Sequence, residues 1–410
     1  MVWQTQSNAD IRYKVQSGLG VAASGAGATQ LRVAGGQSGR LTKTPTESNE
    51  VRSDGMMSRG RHGVQKTAGS YDAELSLDMM DDIFEAVFRG TWASSLVITE
   101  STGGIGSITT TTNGILAQVT PAWITSGLRV GDVIRLTNHA SAGNNNKNLR
   151  ITALTSGLIT VAGTPLTLNA TPDTSFTITR PGQKLINPAA GSLVKRYFTI
   201  EEYEQDIDAS EVFQDCVWGS IKISMSPNGL VLVTPTWVGN GQFSTVTGAS
   251  APSFTSPTVP TGVPLAVVDA AVSFNGTDFV DLTAFEITMD INPNAPEVAA
   301  SRYAPDVFTG QMAVSMSLTA LRQDLQRVAD FSAETVCALH LFCTENEAEP
   351  KDFFSLYVPN FTLGSVDKSA LSKAGGPRTQ TIAVPSALVG VDSSGGAFDP
   401  TMVKIIVSNT

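Results

Sequence analysis

Three histidines and three cysteines are the residues from which a catalytic or metal site would most readily be built. His62, His139 and His340 lie far apart, and the chain has no zinc-protease, phosphate-loop or nucleophile-elbow motif. The tightest group is Cys337, His340 and Cys343 on a predicted strand, where residues an odd number of positions apart point to opposite faces. Both thiols should point away from the imidazole, so we predict no metal, no cofactor and no enzyme.

Acidic and small polar side chains on predicted strands form the first candidate surface. They alternate with apolar residues, which indicates strands that have one polar face. This face is either an ordinary solvated surface or a surface with a purpose inside an assembly. The candidate residues are Asp72, Glu74, Ser76, Glu286, Thr288, Asp290, Ser315 and Ser317.

A basic, glycine-rich loop forms the second candidate surface. Its cations are Arg52, Arg59, Arg61 and Lys66, and glycines separate them. This composition favours a segment that is mobile until a partner orders it, and a solvated loop is the alternative.

The first candidate strand belongs to a strand-to-helix unit that starts at Gly69. Tyr71, Ala73, Leu75 and Leu77 alternate with polar residues. A short amphipathic helix should follow, and Arg89 and Gly90 should end it. We expect Asp78 to cap this helix, with Asp81 and Asp82 in its first turn and Met80, Ile83, Phe84, Val87 and Phe88 on its apolar stripe.

The same pattern recurs in the second half of the chain, 241 positions later. Gly310 matches Gly69, and Thr319 takes the capping place of Asp78. Leu321, Leu325 and Val328 fall on Met80, Phe84 and Val87. The shared pattern indicates a duplicated domain, although chance agreement of two common units stays open.

The elements divide the chain into five parts. We expect an arm and basic loop at 1–68, a first domain at 69–96 and 188–238, an inserted β domain at 97–187, a linker at 239–263 and a second domain at 264–410. After each helix the chain returns to alternating strands, and Ser226–Gly229 forms a hairpin turn. The fold class is therefore mainly β, with two tandem β-sandwich or barrel domains, one flanking helix in each, and a small all-β insert.

The insert differs from the body in charge. It carries six cations and three acids, giving +3, so the remainder of the −10 chain carries −13. The cations are Arg129, Arg135, Lys147, Arg150, Arg180 and Lys184. This asymmetry indicates that the insert meets different surroundings from the body.

Composition narrows the function further. The chain has 410 residues, of which only 16% are charged, and its net charge of −10 argues against gripping nucleic acid through bulk charge. No apolar run is long enough to span a membrane, and the first residues lack the features of a signal peptide. Three cysteines in so long a chain do not suggest a disulfide framework. We expect a protein made in the cytoplasm.

These residues resemble the tail tube, or major tail, proteins of long non-contractile-tailed bacteriophages. The resemblance rests on Ser53–Gly55, the strand Ala73–Leu77 after Gly69, Asp78 before a short helix, and the Ser226–Gly229 hairpin. It covers about residues 10–95 and 190–390. The family's tube domain is a β-sandwich with a flanking helix, and six such domains form a ring whose inner strands join into one barrel. Stacked rings form the tube through which the genome leaves the capsid.

The resemblance implies roles for both candidate surfaces. The acidic strand residues would line the lumen and repel DNA phosphates. Arg52, Arg59, Arg61 and Lys66 would make contacts between rings. Two domains per chain imply a trimeric ring with pseudo-sixfold symmetry, preferred over a hexamer, and the insert would project outward as a decoration.

The implied partners are further copies of the chain, the tape measure protein, and the tail terminator and baseplate proteins. Double-stranded DNA would pass through without specific binding, and no membrane is involved. The implied location is the virion, after assembly in the bacterial host cytoplasm. A baseplate or capsid-decorating protein, a β-sandwich adhesin and a glycan-cleaving enzyme with paired carboxylates remain as alternatives. Glycan binding by the insert also stays open.

Overall fold

The computed structural model describes residues 3–345, 350–373, 375–390 and 396–409, and within them the protein is mainly β with antiparallel sheets. The strands are β1 (Ala9–Val15), β2 (Thr29–Leu31), β3 (Val33–Thr46), β4 (Arg61–Glu74), β5 (Leu96–Thr99), β6 (Ile108–Thr110), β7 (Gly114–Ala117), β8 (Val133–Thr137), β9 (Asn148–Leu154), β10 (Leu158–Val161), β11 (Asn169–Asp173), β12 (Thr177–Arg180), β13 (Gln183–Ile186), β14 (Phe198–Glu204), β15 (Ala209–Met225), β16 (Leu232–Gly239), β17 (Phe243–Thr247), β18 (Ala270–Phe274), β19 (Thr277–Asp278), β20 (Leu282–Asp290), β21 (Ala313–Leu321), β22 (Cys337–Thr344), β23 (Phe353–Phe361), β24 (Ser365–Lys368), β25 (Thr379–Val384) and β26 (Lys404–Ser408). The α-helices are α1 (Asp81–Phe88) and α2 (Gln326–Ser332). Short 3-10 turns lie at Thr102–Gly104, Ala142–Asn144, Gln205–Ile207, Gly248–Ser250 and Val267–Asp269.

The main sheet has twelve strands and branches at the long strand β15. One branch runs in the order β3-β4-β16-β15-β20-β21-β25-β24, and the other in the order β2-β1-β14-β15-β17. The branching arises because β14 and β20 pair with successive parts of β15 on one side, while β17 and β16 do so on the other. None of the sheets of the described residues closes into a barrel.

A six-stranded sheet, ordered β13-β26-β23-β22-β18-β19, packs against the main sheet. Its central strand β23 is buried throughout, because its two faces meet different partners. Phe354, Leu356 and Val358 belong to the large core shared with the main sheet and α1, whereas Tyr357 packs into the core of the insert. A strand covered on both faces needs an almost continuous apolar sequence, and β23 has one.

The insert forms an eight-stranded sheet from β5 to β12 and lies on the outer face of the six-stranded sheet. Gly131 contacts the Tyr357 ring so closely that a Cβ atom at Gly131 would lie 2.2 Å from Tyr357 Cδ1. The insert's own sheet ends at Arg180, since β13 pairs with β26 of the six-stranded sheet. The layers therefore run from the main sheet through the core and the six-stranded sheet to the insert.

Helix α1 carries the expected apolar stripe, but its cap differs from the expectation. Ile83, Phe84 and Val87 are buried, and Arg89 ends the helix in the left-handed conformation. The predicted Asp78 cap is wrong, because Met80 is the N-cap residue. The Asp78 carboxylate instead accepts hydrogen bonds from the backbone N–H groups of residues 261 and 262, at 2.7 and 2.8 Å.

The second helix also departs from the expected pattern. Thr319 does not cap it, because β21 continues to Leu321 and the Thr319 hydroxyl lies 3.2 Å from that of Thr381. Helix α2 begins only at Gln326, whose backbone N–H is bound by the Asp324 carboxylate at 2.9 Å. The two helices start 245 positions apart, so the offset of 241 positions that the sequence pattern predicted is four residues too short for the helices.

The expected arm and linker are both packed against the sheets. Ile11 and Tyr13 of β1 are buried in the core because β1 pairs with β14, a partner too distant in sequence for a local pattern to show. In the 239–263 segment, β17 pairs with β15, and Phe254 is fully buried. The buried Glu201 carboxylate accepts hydrogen bonds from the backbone N–H groups of Ser253 and Phe254, at 2.6 and 3.0 Å.

Candidate functional site

The polar face of the main sheet, defined as the solvent-facing side of β4, β16, β15, β20 and β21, unites most of the predicted acidic residues. Strand pairing aligns their side chains in rows that cross the sheet. The first row is Glu74, Leu232, Ser224, Glu286 and Ser317, the second is Asp72, Thr234, Lys222, Thr288 and Ser315, and the third is Ser70, Thr236, Ser220, Asp290 and Ala313. Mostly small hydroxyl side chains, together with Leu232 and Lys222, separate the carboxylates, so the face is polar with an excess of acids.

One predicted residue is absent from this face and one important residue was missed. Ser76 is only 2% exposed and accepts a hydrogen bond from Arg32 Nη2 at 2.7 Å. Lys222 is the cation in the middle row, and its Nζ lies 3.6 Å from Glu286 Oε2. The alternation of Ser220–Met225 predicts a strand, but only the pairing with β20 brings Lys222 beside the acids.

The predicted basic loop is only in part a loop: Arg52 and Arg59 lie at the tip of a long hairpin made by β3 and β4, whereas Arg61 and Lys66 belong to β4 itself. Both strands have 14 residues, and the hairpin opens a cleft of about 670 Å³ at its side. The lining residues are Lys43, Arg59, Gly60, Arg61, His62, Gly63, Gln65 and Arg302. Four guanidinium or ammonium groups in one cleft give it a positive potential, which favours anionic groups.

The four predicted loop cations fall into two groups. Arg52 binds Asp54 of the same loop, and Lys66 Nζ lies 2.6 Å from Glu297 Oε1, so both are already paired. Arg59 and Arg61 instead line the cleft with Lys43 and Arg302, two residues that the sequence did not single out. Arg302 reaches this site because its carbonyl accepts a hydrogen bond from the Gln65 backbone N–H at 2.9 Å.

The cysteines and His340 are separated by the sheet, as their alternation predicted. Cys337 and Cys343 lie in the large core, whereas His340 faces the insert and shares a 2.7 Å hydrogen bond with Ser355. Burial raises the pKa of Cys343 to about 12, and burial, with Arg150 and Lys404 nearby, keeps the pKa of His340 well below its usual value. The described residues contain no group of three or more His, Cys, Asp or Glu placed to hold a metal ion.

An ion network joins the insert to the body through Asp132, Lys404, Asp399 and Lys184. Lys404 Nζ lies 2.7 Å from Asp132 and 3.0 Å from Asp399, and Lys184 lies 3.0 Å from Asp399. Burial favours a higher pKa for Asp399, but Lys404 and Lys184 lower it to about 2. At the edge of the contact, Arg150 binds Asp278 at 2.8 Å. The sequence could not assign these pairs, because both partners are ordinary charged residues far apart in the chain.

An apolar stripe on α2 is exposed, in contrast to the buried stripe of α1. Leu325 is 64% exposed, Val328 38% and Phe331 41%. They are three positions apart, a spacing that keeps them on one side of the helix. Contiguous exposed apolar side chains of this kind mark contact surfaces. The helix lies against β24, the last strand of the main sheet in this direction.

Neither helix of the described residues is long and apolar enough to cross a membrane. The family model described as phage tail tube protein matches residues 6–385, which is nearly the whole chain. The chain therefore belongs to the phage tail tube protein family, and it is a structural component of the tail in the virion. No curated protein sequence matches it.

Proposed function

We propose that the chain polymerises as stacked rings into the phage tail tube, a channel for genome delivery, and that the polar face lines the lumen. The observation that carries this proposal is the continuity of the polar face across five neighbouring strands. Its four acids, which are exposed or half-buried, outnumber its one lysine, and apart from Leu232 its other side chains are small. Such a wall repels phosphates and offers DNA no cationic groove, so a duplex slides without sticking.

Two tandem tube-type domains account for the pairing pattern of the body. In the first half a hairpin, β3–β4, leads to α1, and β1 pairs with β14; in the second half the β20–β21 hairpin leads to α2, and β18 pairs with β22. Each hairpin then pairs with a later strand, β16 or β25. This shared order supports duplication, with the insert as an addition to the first domain only.

A ring of three chains with pseudo-sixfold symmetry follows from two domains per chain. The longer branch of the main sheet contributes eight strands. At a strand spacing of about 4.8 Å and a tilt of about 40°, three chains close a barrel of about 24 Å backbone radius, whereas six chains need about 48 Å. The smaller ring already admits a DNA duplex, so we prefer the trimer over the hexamer.

The other surfaces take positions that suit this ring. The insert lies on the side of the body opposite to the polar face, so in the proposed ring it would project from the outer wall. The basic hairpin extends beyond the sheet and would contact an acidic surface of the next ring through Arg59 and Arg61. The tape measure, terminator and baseplate proteins would meet the tube along its lumen and at its two ends.

Electron microscopy of the purified, concentrated chain tests the proposal, with and without tail extract to supply a nucleating end. We expect tubes of constant diameter with a stain-filled channel, and averaged rings with three outer knobs, one per insert. Six knobs would select the hexamer. Isolated particles in both conditions would contradict the tube and favour a baseplate or decorating role.

A further inference from the structure

The junction between the two halves of the chain shows how one tube-type domain joins the next. Strand β15 pairs with β20 over six residues, from Ser220 opposite Asp290 to Met225 opposite Phe285. Beside this pairing, the apolar stripe of α1 is covered, and Phe84 stacks on Phe354 of the six-stranded sheet with ring centroids 5.8 Å apart. The junction therefore combines strand pairing with burial of a helix.

The longer branch of the main sheet ends in two edge strands, and an exposed helix stripe lies near one of them. These are the two components of the junction, a strand edge and an apolar helix face, here without a partner strand or a covering layer among the described residues. In the described residues β24 pairs only with β25, and β3 pairs only with β4. Strand β24 occupies the place that the second part of β15 has in the first half, and β3 occupies the place that β20 has in the second. Helix α2, which carries the exposed stripe, lies against β24, as α1 lies against β15.

We infer that β24 of one copy pairs antiparallel with β3 of a second copy, and that the first half of that second copy covers the α2 stripe. The inference rests on the proposed ring and specifies its contact. A second copy is the fitting occupant because the same chain already contains this contact once, between its own halves. An edge strand of 14 residues such as β3 needs a partner, since free edges otherwise invite uncontrolled pairing.

The internal junction also fixes the register of the new contact. The first residues of α1 and α2 are 245 positions apart. The same offset relates Glu74 to Thr319 and Asp72 to Ser317. Following the pairings across each sheet, Lys222 corresponds to Ser365 of β24, and Thr288 corresponds to Gln37 of β3. Because Lys222 pairs with Thr288, Ser365 should lie opposite Gln37 of the second copy.

Cysteine cross-linking tests this register in the full chain. Ser365→Cys with Gln37→Cys should form disulfides between copies on mild oxidation, since facing residues in antiparallel strands have Cβ atoms about 5 Å apart. We expect covalent oligomers on a non-reducing gel that end at one closed size. The control combines Ser365→Cys with Lys43→Cys, which lies about 20 Å further along β3 and should not link. Equal linking of both pairs, or of neither, in assembled protein overturns the register.

Leu325→Asp tests the helix contact. Leu325 is the N-cap residue of α2, a position where aspartate is favoured, so the fold should tolerate the change. Leu168→Asp in the insert is the matched control, because Leu168 is 63% and Leu325 64% exposed. By sedimentation and electron microscopy, Leu325→Asp should remain monomeric while Leu168→Asp assembles like wild type.

The outcomes separate the contact from the function. Normal assembly of Leu325→Asp, with no linking through Gln37, overturns the contact and leaves the tube in place. A wild-type chain that stays monomeric even with tail extract overturns both.

Discussion

At the scale of single residues, the most demanding feature is the buried pair of Lys404 and Asp132. Lys404 is 1% exposed and Asp132 is fully buried, yet they are 272 residues apart in the chain and meet where the insert contacts the body. Lys404 also donates to the Val130 carbonyl at 2.7 Å, so its ammonium group has three oxygen partners. A buried charge is tolerated only with such compensation.

Lys404→Met should lower the free energy of unfolding by about 3 to 5 kcal/mol, because it leaves Asp132 buried without its closest cation. Lys222→Met is the control, since the Lys222–Glu286 pair is exposed and should change stability by less than about 1 kcal/mol. Chemical denaturation of both variants measures the difference. Equal effects would mean that the buried network does not fix the insert.

Asp81 introduces a pH dependence that acts against the folded state at neutral pH. Burial, and then repulsion by Asp82, raises the pKa of Asp81 to about 6, while Gln183 donates a hydrogen bond to its carboxylate at 3.2 Å. A carboxyl whose pKa is raised on folding stabilises the protein below its unfolded pKa, and this stabilisation is lost as the pH rises through about 6.

Asp81→Asn should therefore stabilise the protein at pH 7.5, by about 1 to 3 kcal/mol, and change little at pH 4. An asparagine oxygen can still accept the hydrogen bond from Gln183. Denaturation at the two pH values measures the effect. A stability gain that is the same at both would show that Asp81 titrates normally.

At the scale of elements, local patterns predicted several of the strands and the apolar stripe of α1, whereas β3 and β17 lie in segments that were expected to be an arm and a linker. The alternation before Asp78 and the stripe after it are complete within about 20 residues, so they could be read from the sequence. Strand β1 could not be assigned to the core, because Tyr13 is buried by a sheet partner that follows the whole insert. Asp78 was misplaced for the same reason, since its backbone donors at residues 261 and 262 lie in the 239–263 segment, 183 and 184 residues away.

Gly131→Ala should loosen the contact between the insert and the six-stranded sheet. Gly131 has φ of +81°, and an added Cβ would clash with the Tyr357 ring. Gly163→Ala is the matched control, because Gly163 has φ of +68° but open space around it. We expect a loss of about 1 kcal/mol for the control and at least about 1 kcal/mol more for Gly131→Ala, measured by chemical denaturation. Equal losses of stability in the two variants would mean that the close contact between Gly131 and the Tyr357 ring does not contribute to stability.

The basic hairpin should act through its cleft and not through all of its cations. Arg59→Glu with Arg61→Glu should permit single rings but prevent their stacking, because it reverses the charge of the cleft. Arg52→Glu should stack nearly normally, since Arg52 is neutralised by Asp54 in its own loop. Tube length in electron micrographs measures both variants, and full-length tubes from the double variant would remove the cleft from the contact between rings.

At the scale of the whole molecule, the layers place the polar face on one side of the protein and the insert on the opposite side. The alternation of each acidic strand was readable from the sequence, but the rows were not. Glu74, Glu286 and Ser317 align only because β16, β15 and β20 pair in one particular register. Ser76 was placed wrongly because the strand ends at Glu74, and the chain then turns its side chain towards Arg32.

The proposed lumen makes a prediction about DNA movement that depends on salt. Glu286→Lys with Asp290→Lys reverses two charges in the first and third rows of the polar face, at positions that are exposed or half-buried, so folding and ring closure should persist. In assembled virions the new lysines should attract phosphates and slow genome ejection, and added salt should largely restore the rate because screening weakens phosphate contacts. Leu168→Lys in the insert controls for added charge on the outer wall. Time-resolved release of DNA measures the rate, and ejection by the double variant at the wild-type rate in low salt would place the polar face outside the DNA path.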